Sequence, residues 1–200
     1  MADNITISLD PKKVLIALGE RKKATEQAVS RTVSDMRSRA PGAVASAVTA
    51  IYKIKKSEIT PQSKNAEGKK KKVASIKVVG DTIEDLALVY RGNRLTPTHF
   101  GMTPTAPTPG QKKGITVEIF KGQKRALQGK PEYSRPAFLA SNGHGAYLPF
   151  QRKADGKLAA IRTLSVPQMI ENEDRVSYQI EERLSELLSK RFNYHMSKIE

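Results

Sequence analysis

One run of 25 residues, Ala146 to Ile170 (AYLPFQRKADGKLAAIRTLSVPQMI), constrains this chain more than any other. Two apolar, β-prone segments, Ala146 to Phe150 and Leu158 to Leu164, flank a polar turn containing Asp155 and Gly156, the composition of a hairpin. A lone hairpin is unstable in water, so it needs a sheet beside it and an apolar surface beneath it. Ser165-Val166-Pro167 then redirects the chain. Proline has no backbone N–H, which ends a strand, and its fixed φ suits the first turn of a helix.

The helix so announced is the clearest in the sequence. Val176, Ile180, Leu184, Leu187, Leu188 and Phe192 form one apolar stripe. Asn172 is placed to cap it, Glu173 and Asp174 occupy the first turn, and Lys190-Arg191 lie toward the last, matching the helix dipole. We expect this helix to lie across the sheet. At the other end, Ile5, Ile7 and Leu9 alternate as a strand over Asn4 to Leu9. Asp10-Pro11 starts a helix that should run to about Arg39, where Ala40-Pro41-Gly42 breaks or kinks it. A second helix follows with Val44, Ala47, Val48, Ile51 and Ile54 at helical spacing, and Ala43, Ala45, Ala47 and Ala50 allow close packing.

Between these ends the period is two. Ala74, Ile76 and Val78, then Leu86, Leu88 and Tyr90, give two strands joined at Gly80-Asp81. Ile115, Val117 and Ile119 give another, turned back by Lys121-Gly122-Gln123-Lys124. Arg135 to Ala140 and the 146–164 hairpin complete a meander of five or more strands. Residues 91–111 hold Pro97, Pro104, Pro107 and Pro109, and predict an extended loop that orders against a partner. The expected class is α+β: an N-terminal helical region, a central, mainly antiparallel β-sheet and a C-terminal amphipathic helix packed on it. The expected organisation is one domain, with residues 1–60 as N-terminal strand and helices, 61–72 as a flexible lysine-rich loop and 73–200 as the sheet body.

Charge is the strongest compositional signal. The chain carries a formal +15, yet residues 171–200 hold seven acids against five bases, leaving +17 on residues 1–170. Such a surface attracts polyanions, or an acidic protein surface, without sequence preference. The candidate contacts are Lys69, Lys70, Lys71, Lys72, Lys112, Lys113, Lys124, Arg125, Arg152 and Lys153. Stacking aromatics are missing from the basic turns, so a nucleic acid would be held by its phosphates alone. The Gly68-Lys69 pair lacks the earlier glycine of a phosphate-binding loop.

No catalytic constellation forms. With no cysteine and three scattered histidines (His99, His144, His195), neither a disulfide nor a metal site is expected, and no cofactor. Asn142-Gly143-His144-Gly145 reads as a surface turn, His99 as a loop anchor, and Glu84-Asp85 as a solvated strand edge. We expect no enzyme. The first residues, MADNITISLD, do not form a secretory leader, and no run is long and apolar enough for a membrane span, so the expected site of synthesis and residence is a cytoplasm.

Taken in order, several segments resemble the minor tail protein Z family, the neck or tail-completion proteins of long-tailed bacteriophages. They are Ala28 to Thr32 (AVSRT), Tyr52 to Lys55 (YKIK), the strand pair Val73 to Tyr90, Gly114 to Lys121 (GITVEIFK), Arg135 to Ala140 (RPAFLA), Pro149 to Arg152 (PFQR) and Ile161 to Met169 (IRTLSVPQM), followed by the C-terminal helix. Arg39-Ala40-Pro41-Gly42 departs from the pattern. The resemblance implies a structural virion protein without enzymatic activity. It would be assembled in the host cytoplasm as a six-fold homo-oligomeric ring at the neck, touching the tail terminator and the head-closure or connector protein, with non-specific contact to passing DNA. A competing class, from charge alone, is a non-specific DNA-binding protein acting on phosphates.

Overall fold

The computed structural model describes residues 3–8, 22–60, 74–107, 114–133 and 136–198. The chain divides into two compact units: Met1–Val48, Lys56–Asn93 and Val166–Glu200 form the first, and Thr49–Lys55 with Arg94–Ser165 the second.

In the first unit, strands β1 (Asp3–Ser8), β2 (Ala74–Val79) and β3 (Ala87–Gly92) form an antiparallel sheet in the order β1-β3-β2. Registers Ile5↔Tyr90↔Ile76 and Ile7↔Leu88↔Val78 put the alternating apolar residues on one face, as period two requires. The β2–β3 connection turns at Gly80, whose φ of +91° and contact with the Asp85 carbonyl leave no room for a Cβ. Leu88 and Tyr90 are fully buried. The Tyr90 hydroxyl has no hydrogen-bond partner among the described residues, and burial pushes its pKa upward.

Helix α1 (Lys22–Ile51) is continuous through Pro41, which corrects the expected break. A proline inside a helix costs about 3 kcal/mol, because one N–H bond is lost and the ring crowds the preceding turn. Here the apolar stripe continues on both sides of it. Met36, Ala40, Val44, Ala47 and Val48 are each at most 1% exposed, and burying each large side chain stabilises by about 1.5–3 kcal/mol. Splitting the helix would forfeit that burial, so packing outweighs the local preference. The start expected at Asp10-Pro11 lies outside the described residues.

Short helix α2 (Val166–Ile170) follows, with Pro167 in its first turn as the sequence requires, and packs against β1 and β3. Helix α3 (Tyr178–Met196) is entered through a π turn, Glu173–Ser177. There the expectation for Asn172 is corrected: it makes no side-chain cap, and its carbonyl instead accepts the N–H groups of Val176 and Ser177. Val176, Ile180, Leu184, Leu188 and Phe192 are buried, while Leu187 is half-buried. The C-terminal helix packs against α1 and the sheet, and the α+β class holds.

In the second unit the strands form two small sheets in place of one meander. Hairpin β4 (Thr116–Glu118) and β5 (Lys124–Ala126) turns at Gly122, and the sheet β6-β7-β8 is built from Phe138–Ser141, Tyr147–Arg152 and Leu158–Ala160. The β7–β8 turn is the anticipated one. Gly156 adopts φ +79°, and the Asp155 carboxylate accepts the Lys157 N–H at 3.0 Å. Gln151 is buried, its amide oxygen accepting the Lys130 N–H at 2.7 Å, and its side chain occupies the space a Cβ on residue 129 would need. Tyr52 stacks on Phe120 with centroids 4.9 Å apart.

The proline-rich segment is ordered by its own chain as far as it is described. Leu95, Pro97, Phe100 and Met102 are buried, Leu95 exchanges backbone bonds with Thr163 and Leu164, and Thr103 does so with Thr116. Apolar residues between the prolines, which the proline count obscured, anchor it. Residues 108–113 lie outside the description.

Gly42 offers a direct check on α1. A Cβ there meets nothing within 4 Å, so Gly42→Ala should raise stability by about 0.5–1 kcal/mol in chemical denaturation, whereas a loss would show the helix interrupted at this point.

Candidate functional site

The first unit carries two charged features, both made by α1 facing α3. Asp35 on α1 receives Arg191 and His195, which lie four residues apart and therefore on one face of α3. Arg191 pairs with one carboxylate oxygen of Asp35, and His195 Nε2 lies 2.9 Å from the same oxygen. All three side chains are largely buried. The His195 hydrogen bond, then the Arg191 bond and charge, hold the Asp35 carboxyl below its ordinary value of 3.8 against the opposing effect of desolvation. Arg191 also stacks on Tyr194, 4.5 Å from its ring centre. One carboxylate shared by a guanidinium and an imidazole of α3 is a clasp between helices.

Beside the clasp, the same two helices leave an open groove of about 410 Å³. Gly42, Ala43, Ser46 and Leu187 form its floor, and Arg39, Lys56, Arg183 and Lys190 rise around it against one acid, Glu186. Lys56 donates to Ser46 Oγ at 2.8 Å. Arg39, Arg183 and Lys190 have no ion-pair partner among the described residues. A floor of small residues between cationic walls suits an anionic group carried on an apolar or aromatic body.

Of the contact residues expected from the sequence, none of the described ones lines this groove. Lys69, Lys70, Lys71, Lys72, Lys112 and Lys113 lie outside the described residues. Lys124 and Arg125 are exposed on β5, paired with Glu118 and Val117. Arg152 is partly engaged within its own hairpin, donating to the Gly156 carbonyl at 3.1 Å and lying 5.9 Å from the Phe138 ring centre, and Lys153 sits in the adjoining turn. Each pair thus belongs to its own hairpin.

Other expected positions resolve simply. His144 is exposed in a turn closed by the Asn142 side chain, which accepts the His144 and Ala146 N–H groups. His99 ends a 3₁₀ turn. Asp85 closes a turn with Thr82, whose hydroxyl and N–H bonds hold its carboxyl below the ordinary value. Among the described residues, no three His, Asp or Glu side chains gather as a metal set, and no helix is long and apolar enough to cross a membrane.

Comparison with protein-family models, curated proteins and solved structures finds no match. The groove and the clasp therefore stand on their geometry.

Removing the shared carboxylate should be costly. Asp35→Asn is expected to lose about 1.5–3 kcal/mol at neutral pH, the range for hydrogen bonds to charged groups. Because folding lowers the Asp35 pKa, its contribution is complete above the ordinary carboxylate range and disappears as pH falls through the folded value. Denaturation of both proteins from pH 7 downward should show the gap closing below about pH 4; a gap independent of pH would contradict the clasp.

Proposed function

We propose that this chain is a structural virion protein of the phage neck, a tail-completion protein that forms a ring joining the tail to the head connector. The observation that carries the reading is the ordered series of segments from Ala28-Val-Ser-Arg-Thr32 to Ser165-Val-Pro-Gln-Met169, followed by the amphipathic C-terminal helix, which resembles the minor tail protein Z family along nearly the whole chain. The α+β architecture agrees with it: a long helix with a small-residue groove, small sheets, and a C-terminal helix closing the core of its unit. A ring needs subunits that present different surfaces to their two neighbours, and the charge asymmetry along this chain supports that arrangement. Its partners in this reading are further copies of itself, the tail terminator, and the head-closure or connector protein.

The second reading, a non-specific DNA-binding protein, is favoured by one observation, the net charge of +15. It requires affinity for duplex DNA that falls steeply between low and moderate salt, as counterions are released with each phosphate contact.

Loss of function separates the two. In the source phage, a chain-terminating mutation in this gene should leave filled heads and tails unjoined or tails unfinished, with infectious yield reduced by orders of magnitude. Normal joined particles would refute the neck reading. A smaller lesion addresses the lysine-rich segment: deleting residues 64–72 should reduce particle yield if that segment makes an assembly contact, and a normal yield removes it from the mechanism.

A further inference from the structure

The groove on the first unit has a counterpart on the same chain. At the entry to α3, Glu171, Asp174, Glu181 and Glu182 are all exposed, with Arg175 the lone base between residues 171 and 182. None of the four acids is in an ion pair among the described residues. In their midst stands Tyr178, 70% exposed, the most open of the large apolar side chains described. A protein of +15 here carries, within twelve residues, four exposed acids without ion pairs among the described residues and one solvent-facing aromatic ring.

We infer that this acidic, Tyr178-centred patch docks into the basic groove of a second copy of the chain, with Tyr178 on the floor of Gly42, Ala43 and Leu187 and its acids against Arg39, Arg183 and Lys190. Three observations select that occupant. The signs are complementary: four bases against one acid line the groove, while acids dominate the patch. The floor is small and partly apolar, which accommodates an aromatic ring and would be left uncovered by a bare phosphate backbone held on the bases alone. An exposed tyrosine gains most from such a site, since its ring has an apolar face that the isolated chain leaves in water.

Helix geometry prevents a chain from satisfying itself. At about 100° per residue, Tyr178 and Glu182 share one side of α3, while Arg183, Leu187 and Lys190 share another, roughly 130° around the axis. Patch and groove are thus different surfaces pointing in different directions. Contact between them is heterologous, the type that either closes into a ring or propagates as a filament. The inference deepens the proposed ring by naming its lateral contact.

The test uses the full chain in sedimentation equilibrium at low and high salt. Two variants disable one side each: Tyr178→Ala with Glu182→Lys on the patch, and Arg39→Glu with Arg183→Glu on the groove. A third, Gly42→Gln, fills the groove without changing charge. Circular dichroism and thermal unfolding establish that each is folded. The wild type should associate below about 100 µM and dissociate as salt rises, and each variant should be weakened by about tenfold or more. The decisive sample is an equal mixture of the patch and groove variants. Each retains one working surface, so the mixture should yield heterodimers and nothing larger.

Variants that associate like the wild type would overturn this contact and leave the ring reading standing. A wild type that remains monomeric at that concentration would also overturn it. So would groove variants that lose binding to a duplex DNA probe while self-association is unchanged, which would make the groove a phosphate site. Absence of the protein from phage particles, by contrast, would refute the neck reading and leave the contact intact.

Discussion

Continuous burial of the α1 stripe is the constraint on which the first unit depends. The chain has no tryptophan and few aromatics, so its core is assembled from many modest aliphatic contacts, and no single anchor can substitute for a long, uninterrupted packing face. Met36, Ala40, Val44, Ala47 and Val48 supply that face on α1, and Ile180, Leu184, Leu188 and Phe192 supply one on α3. The helix therefore runs through Pro41 in spite of its local cost. The small side chains that make the packing possible also leave α1 with little bulk at Gly42 and Ala43, and the groove is the consequence. Arg39, Arg183 and Lys190 find no ion-pair partner among the described residues, and they stand exposed at the surface, available to a partner.

Charge is sorted along the chain in a way that fits an assembly component. The clasp of Asp35 with Arg191 and His195 places one carboxylate between a guanidinium and an imidazole where the helices meet, and it ties the register of α3 to α1. Once that register is set, the remaining charges on α3 divide into the acidic entry and the basic groove wall. Directional charge of this kind orients one subunit against the next and excludes inverted contacts by like-charge repulsion. The proposed neck ring is the assembly in which such orientation has an evident use.

Much of this fold was legible in the sequence, and the failures have identifiable physical causes. Period-two runs at Leu86-Leu88-Tyr90 and Ile115-Val117-Ile119 gave their strands, Gly80 and Gly156 gave their turns, and Pro167 marked the change from strand to helix. These signals are local, and local backbone preference decides them. Pro41 misled because tertiary burial overrode that preference, and Asn172 because the chain enters α3 through a π turn in which the carbonyl, not the side chain, meets the free N–H groups. The division of the strands into three small sheets could not be read, since periodicity identifies strands without identifying neighbours. Neither could the clasp: Arg191 and His195 stand at helical spacing, yet their acid lies 156 and 160 residues away. The basic residues that stood out in sequence were clustered ones, whereas those lining the groove are dispersed at Arg39, Lys56, Arg183 and Lys190 and are assembled by the fold alone.

In the proposed role this chain is a built-in part of a phage particle. Quantitative mass spectrometry of purified, nuclease-treated particles and of separated tails tests it most directly. A neck ring requires a fixed copy number per particle, or per completed tail, at a small multiple of six. A protein absent from both and recovered in the soluble lysate would contradict it.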